Sequence, residues 1–199
     1  MNMTPIEKER IRRDILEKYR QVAQSPEGRF RFPTGRAGLR GLGYDPHFTE
    51  RLPDAVAAFF CGVGNPFAMG PVRPGEHVLD VGCGAGVDTC IAAMMAGEQG
   101  LAFGVDGSPE MLARARDNAA LAGLGNVGFK QADAESLPFA EASFDVLISN
   151  GVYNLVLDKP RALAEAYRVL KPGGRVQIAD QMLLGPPPDP AEAALNWFK

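Results

Sequence analysis

Asp80, Gly82, Gly84 and Gly86 fall in the stretch HVLDVGCGAGV, residues 77–87, and their types and spacing suit the capture of a small charged molecule. Glycines at alternate positions remove side chains where the chain must turn, and they leave main-chain N–H groups open at the start of a helix. The dinucleotide fingerprint G-x-G-x-x-G is not met, because the third glycine comes one residue early and Val87 stands where that pattern has glycine. Asp80 would also repel a pyrophosphate, whereas it attracts the ammonium of an amino-acid moiety. The D-x-G-x-G-x-G pattern therefore points to S-adenosylmethionine, cradled by Asp80, Gly82, Cys83, Gly84 and Gly86. Asp106, ending the apolar run LAFGVD, is placed to accept hydrogen bonds from two ribose hydroxyls, a role shared by both nucleotide classes.

Other candidates follow at strand ends. Met111 falls one turn beyond Asp106, where its flexible side chain can lie on the adenine or pack into the core. Asp133, in QADAE at 131–135, reaches the same sheet edge and is a candidate for the adenine amino group, together with Ala134; capping the local turn is its other role. Asn150 ends the run FDVLISN and can bond the methionine part, the substrate or nearby backbone. Neither His47 nor His77 is placed for catalysis, and no metal site is expected.

The elements that must position these residues alternate. Apolar runs give strands at 77–81, 101–106, 126–131, 144–149 and 174–182, with helices at 86–96, 109–122 and 159–170. Near-continuous apolar strands between helices predict a doubly wound, mostly parallel α/β sheet over 75–185. Ser108-Pro109-Glu110 reads as a capped helix start, and Lys171-Pro172-Gly173-Gly174 as a hard stop. Residues 1–74 read as a helical and irregular lid. Thr4-Pro5 caps an amphipathic helix carrying Ile11, Ile15, Tyr19 and Val22; residues 26–53, rich in Gly, Pro, Arg and aromatics, read as irregular cover; 53–60 reads as a short helix. Arg29, Arg31, Arg36 and Arg40 in that cover are read as solvated.

Composition narrows the function. At 199 residues with 46% hydrophobic side chains the chain can bury a sizeable core, and a net charge of −3 with interspersed signs argues against nucleic acid as partner. No apolar run is long enough to span a bilayer or serve as a signal peptide, so the expected site is cytoplasmic, with no membrane partner. Cys61, Cys83 and Cys90 have no disulfide-like spacing.

VLDVGCGAG at 78–86, GVDGSPEML at 104–112, DAESLPF at 133–139, SFDVLISN at 143–150 and YRVLKPGG at 167–174 together resemble class I S-adenosylmethionine-dependent methyltransferases. GLGY at 41–44, GVGNPF at 62–67, SNGVYNLVLDK at 149–159 and EAYRVLKPGG at 165–174 more narrowly resemble arsenite methyltransferases and their relatives. The resemblance implies a Rossmann-like fold and methyl transfer to trivalent arsenic held by thiols, with glutathione or thioredoxin as the thiol. Transfer to another small metabolite, or a non-catalytic domain that only binds S-adenosylmethionine, are the alternatives.

Two departures from that family stand out. Aligning its Tyr-Gly-Cys-Gly-x-Pro segment with Gly64-Asn65-Pro66 puts Val63 where the metalloid-binding cysteine falls; Cys61, two residues away at the end of a short apolar helix, is either the substitute or a core thiol. The family also continues past the fifth strand with further strands and cysteines, so 186–199 reads as a truncated C-terminal segment that leaves an uncovered edge strand. ALNWFK at 194–199 looks like the approach to a family cysteine. A selenocysteine codon translated as a stop would place an end there, as would a frameshift, a cut sequence or a short protein.

Overall fold

The computed structural model describes residues 4–182 and Gly185. Helices α1 (Pro5–Val22), α2 (Gly35–Gly41), α3 (Pro46–Thr49) and α4 (Asp54–Ala57) and a 3-10 turn, Pro66–Met69, precede the alternating part. That part runs β1 (His77–Val81), α5 (Val87–Ala96), β2 (Leu101–Asp106), α6 (Pro109–Leu121), β3 (Val127–Gln131), β4 (Phe144–Asn150), α7 (Lys159–Val169) and β5 (Leu170–Ala179). The five strands form one sheet in the order β3-β2-β1-β4-β5, and every pairing is parallel. It is the doubly wound Rossmann-like sheet the alternation predicted. The order reverses between β1 and β4, so the crevice for a ligand opens beyond their carboxyl ends.

The core explains why α5 is apolar all round after Asp88 and Thr89 in its first turn. Val87, Cys90, Ile91, Ala92, Ala93 and Ala96 are all buried, in one cluster with Val78 of β1 and Val146 and Ile148 of β4. A helix without a polar face must be covered on both sides. The sheet covers one side, and Leu39, Tyr44, Leu52, Val56, Phe60 and Phe67 join the same cluster from the N-terminal segment. The boundary expected at 74–75 thus runs through continuous apolar packing.

Capping follows the sequence closely. Thr4 and Glu7 close a capping box on α1, and the Ser108 hydroxyl accepts the N–H of Met111 on α6. Each such cap is worth about 1 kcal/mol. The 26–53 segment, expected to be irregular, holds α2 and α3 instead. Glycine content hid α2: a Cβ at Gly38 would sit 2.5 Å from the Pro33 carbonyl oxygen, so this helix packs only because Gly38 has none. Asp45 caps α3 by accepting the His47 N–H, with Pro46 in the first turn. Arg36, read as solvated, donates to the Thr49 carbonyl at 2.9 Å and pairs with Asp54, which ties α2 to the chain between α3 and α4. The helix expected over 53–60 shortens to α4.

The fifth strand also differs. Val169 does end α7, but β5 begins at once with Leu170 opposite Phe144, and the register then jumps to Arg175 opposite Val146. Lys171-Pro172-Gly173-Gly174 is a bulge inside β5, with Gly173 at φ 79°. The strand closes at Ala179 rather than 182, where the Asp180 carboxylate accepts the N–H groups of Asn154 and Gln181. Among the described residues β5 is an edge, with Val176 at 42% exposure. Leu183 and the expectations placed on 186–199, including ALNWFK, lie outside the described residues. No helix of the described residues is long and apolar enough to cross a membrane.

Candidate functional site

A cavity of about 770 Å³ opens beyond the carboxyl ends of β1, β2, β3 and β4. Its size falls within the range of about 300–1,000 Å³ usual for small-molecule sites. The turn after β1 forms the floor. The N–H groups of Gly82 and Cys83 both donate to the Val105 carbonyl, at 2.8 and 2.9 Å, which pins the turn to β2. Gly82 and Gly84 take φ of 73° and 51°, the left-handed region that side chains resist. A Cβ at Gly82 would lie 2.2 Å from Val152, whereas one at Gly84 would meet only Met111 Cε at 3.8 Å. Gly82 is therefore required by packing, and Gly84 leaves an unfilled cradle on the cavity side.

Three carboxylates surround that cradle. Asp80, 3% exposed, accepts the Thr89 hydroxyl at 2.6 Å. Asp106 accepts the N–H of Gly84 at 2.9 Å and that of Ser108 at 2.8 Å. Asp88, in the first turn of α5, accepts the Tyr44 hydroxyl at 2.8 Å and the Asn150 amide at 2.9 Å. No Lys or Arg of the described residues pairs with any of the three. Burial pushes all three up: Asp80 well above the ordinary carboxylate range, where the neighbouring Asp88 adds to the rise; Asp88 to about 6; and Asp106 against the pull of its backbone donors. Buried acids without a counter-ion favour a cationic ligand.

The thiols are neutral. Burial first, then the charges of Asp88 and Asp106, pushes Cys61 up to about 12, and burial lifts Cys83 as well. Cys61 and Cys83 line the cavity, while Cys90 is buried in α5. Val63 lines the wall beside Cys61.

The cavity brings together Asp80, Gly82, Cys83, Gly84, Asp106, Asp133, Ala134, Asn150 and Cys61. It leaves out Gly86 and Met111. Gly86 starts α5 at φ 78°, and a Cβ there would press at 3.0 Å on Ala115, so it serves the packing of α5 on α6. Met111 is fully buried with Val22, Ala23 and Ala85, because the Ser108 cap turns this first helical turn inward under α1. Asp133 faces the cavity and also caps its turn by accepting the Glu135 N–H at 2.9 Å. Asn150 is committed to protein: its carbonyl accepts the N–H groups of Val63 and Gly64, and its amide reaches the Gly64 carbonyl and Asp88. It ties the N-terminal wall to β4 rather than offering its amide to a ligand.

Sequence reasoning missed Asp88, Thr89 and Tyr44. Asp88 carried one signal, an acid in the first turn of a helix, which reads as ordinary dipole compensation. Tyr44 lies in GLGY, one of the family-like stretches, but nothing there points to its partners Asp88 and Asn150, 44 and 106 residues away.

A family model described as a methyltransferase domain matches residues 73–195. An arsenite methyltransferase of Halobacterium salinarum is 44% identical over 156 residues, 78% of this chain and 40% of that protein. A ubiquinone/menaquinone biosynthesis C-methyltransferase of a Marinomonas species is 44% identical over 111 residues, 55% of this chain and 44% of that one. Among solved structures, an arsenic (III) S-adenosylmethionine methyltransferase from Chlamydomonas reinhardtii is 37% identical with a TM-score of 0.57, covering 75% of this chain and 50% of that one. A SAM-dependent methyltransferase from Aquifex aeolicus is 28% identical with a TM-score of 0.55, covering 62% and 70%. The chain spans about two fifths of the length of the arsenite methyltransferases it matches.

Proposed function

The chain belongs to the family of methyltransferase domains, with S-adenosylmethionine as cofactor, and from that membership we propose that it methylates a small soft nucleophile, trivalent arsenic held by thiols. The observation that carries the cofactor's placement is the buried trio Asp80, Asp88 and Asp106 around the open cradle at Gly84. When bound, the cofactor supplies a methyl group activated on a positively charged sulfur. Asp80 takes the ammonium end, Asp106 the ribose hydroxyls through the lone pairs its backbone donors leave free, and Asp133 with Ala134 the adenine side.

The chain's remaining task is to align the acceptor and exclude water. An acceptor with a free lone pair loses no proton, so no general base is needed, and neither His47 nor His77 lines the cavity. Likeness to arsenite methyltransferases supports arsenic as the acceptor, and Cys61 in the wall offers a soft ligand that would release its proton on binding. Glutathione or thioredoxin is the proposed thiol partner, and the cytoplasm the proposed location. Val63 favours a second reading, methyl transfer to another small metabolite, because a valine holds no metalloid.

The test follows S-adenosylhomocysteine release with arsenite and glutathione. Turnover supports the arsenic reading. Cofactor binding without turnover on arsenite, but with turnover on another acceptor, supports the second. Binding without turnover on any acceptor would leave only a binding domain.

A further inference from the structure

Asp88 sits where the cavity floor meets the N-terminal wall, and its two oxygens are held from opposite sides. Tyr44, from the chain between α2 and α3, donates its hydroxyl to one, and Asn150, at the end of β4, donates its amide to the other. The same Tyr44 hydroxyl lies 3.1 Å from the Gly64 carbonyl, and the same Asn150 side chain accepts the N–H groups of Val63 and Gly64 at 2.9 and 3.1 Å. The wall residues Val63 and Gly64 therefore have backbone groups bound to Asn150, and Gly64 also to Tyr44, and both of these partners are bound to Asp88. We propose that Asp88 is a cofactor-positioning residue that couples occupancy of the acidic floor to the placement of the Gly62–Gly64 wall.

The coupling is electrostatic in origin. Asp80 and Asp88 are buried neighbours: burial raises both, and the charge of Asp88 further disfavours ionisation of Asp80 while the floor holds no cation. A sulfonium with an attached ammonium lets both ionise. An ionised Asp88 accepts stronger hydrogen bonds than a protonated one, so Tyr44 and Asn150 are held more firmly and the wall with them. By reciprocity, a wall held in place strengthens cofactor binding. The titratable groups facing Asp88 are Asp80 on β1, Tyr44, Cys61 in the wall and Cys90 on α5. None is cationic at neutral pH. Cofactor affinity therefore rises with pH through about 6, where empty Asp88 gives up its proton.

The inference rests on S-adenosylmethionine as cofactor and holds whatever the acceptor. Two measurements on the full chain test it. The first is amide hydrogen exchange at Val63 and Gly64 in the unmodified protein, with and without S-adenosylmethionine; slower exchange on binding is expected, and unchanged exchange overturns the proposal without any variant. The second is calorimetric titration with S-adenosylmethionine between about pH 5.5 and 7.5. The unmodified protein should bind about fourfold more tightly at the upper end, with proton release on binding at the lower end, and Asp88→Asn should bind about tenfold more weakly at the upper end and lose most of the pH dependence. Asp88→Asn can keep its shape, because the Tyr44 hydroxyl can turn to the Gly64 carbonyl. Tyr44→Phe keeps the carboxylate and should keep the pH dependence while losing the cofactor-induced protection at Val63 and Gly64. A purely structural Asp88 would leave the pH profile of Asp88→Asn like that of the unmodified protein, and that result overturns the proposal.

Discussion

The Thr89 hydroxyl donates to Asp80 across 2.6 Å of buried space, so the helix that follows the glycine turn reaches back to fix the carboxylate that precedes it. This bond opposes the effect of burial on Asp80. The Thr89 backbone N–H adds a second, weaker hold on the same carboxylate. The carboxylate is thus oriented before any ligand arrives, which limits the ordering cost of binding.

Removing that carboxylate should cost affinity without unfolding the protein. Asp80→Ala and Asp106→Ala are each expected to weaken S-adenosylmethionine binding by about 1.5–3 kcal/mol, the worth of a charge-assisted hydrogen bond. Thr89→Val should weaken it by less, because the charge stays and only its orientation is lost. Calorimetry on the three variants checks the order, and unchanged affinity in both aspartate variants would overturn the placement of the cofactor.

Gly82 and Gly84 look alike in sequence but should fail differently. Gly82→Ala forces a Cβ toward Val152 and strains a left-handed backbone, so it should cost on the order of 2–5 kcal/mol of stability. Gly84→Val pays only the backbone strain, about 1–2 kcal/mol, yet fills the cradle and should abolish cofactor binding. Urea unfolding and cofactor titration separate the two outcomes. Normal binding by Gly84→Val would mean that the cradle is not the cofactor's seat.

Glu165 makes the segment between β3 and β4 sensitive to acid. Its carboxylate accepts two bonds from Arg168 and the Leu137 N–H, and Arg168 in turn donates to the carbonyls of Leu137 and Phe139. The Arg168 bonds, aided by the Leu137 N–H, hold Glu165 down to about 2 despite partial burial. A depressed carboxylate stabilises the fold above its unfolded value of 4.5, and the contribution is lost as pH falls toward about 2. Glu165→Gln should therefore lower the midpoint of thermal unfolding at pH 7 and matter progressively less between about pH 4.5 and 2. An equal loss at both ends would show that the charge does not hold this segment.

The parts of the molecule that were legible in the sequence are those built from near neighbours. Asp80 and the glycine turn, the Thr4 and Ser108 caps and the strand alternation all depend on residues a few positions apart. The parts that were not legible depend on distant partners. Nothing near Asn150 says that its side chain is consumed by Val63 and Gly64, and nothing near Arg36 says that its guanidinium holds the chain around Thr49 and Asp54. Gly86 and Met111 lie outside the cavity lining, and of the two roles open to Met111 it takes core packing, because a motif gives order along the chain but not which way a residue faces. The α2 helix is not legible because Gly38 serves close packing, which propensity counts as a penalty.

The acceptor wall supplies the most direct test of substrate. A Cβ built on Gly151 would lie 3.3 Å from both methyl carbons of Val63, so Val63 covers Gly151 and presents hydrocarbon to the cavity beside the neutral thiol of Cys61. A single soft ligand next to hydrocarbon holds arsenic weakly, and a second thiol should hold it better. Val63→Cys changes little volume and should cost less than about 1.5 kcal/mol of stability. If arsenic is the acceptor, this variant should raise kcat/KM for arsenite by about tenfold, the low end of what even outer-shell partners contribute at metal sites. Cys61→Ser should lower it while leaving cofactor affinity intact. Arsenite turnover indifferent to both changes would place the metalloid elsewhere. Turnover on a carbon or nitrogen acceptor that Val63→Cys impairs would instead assign the hydrocarbon wall to an organic substrate.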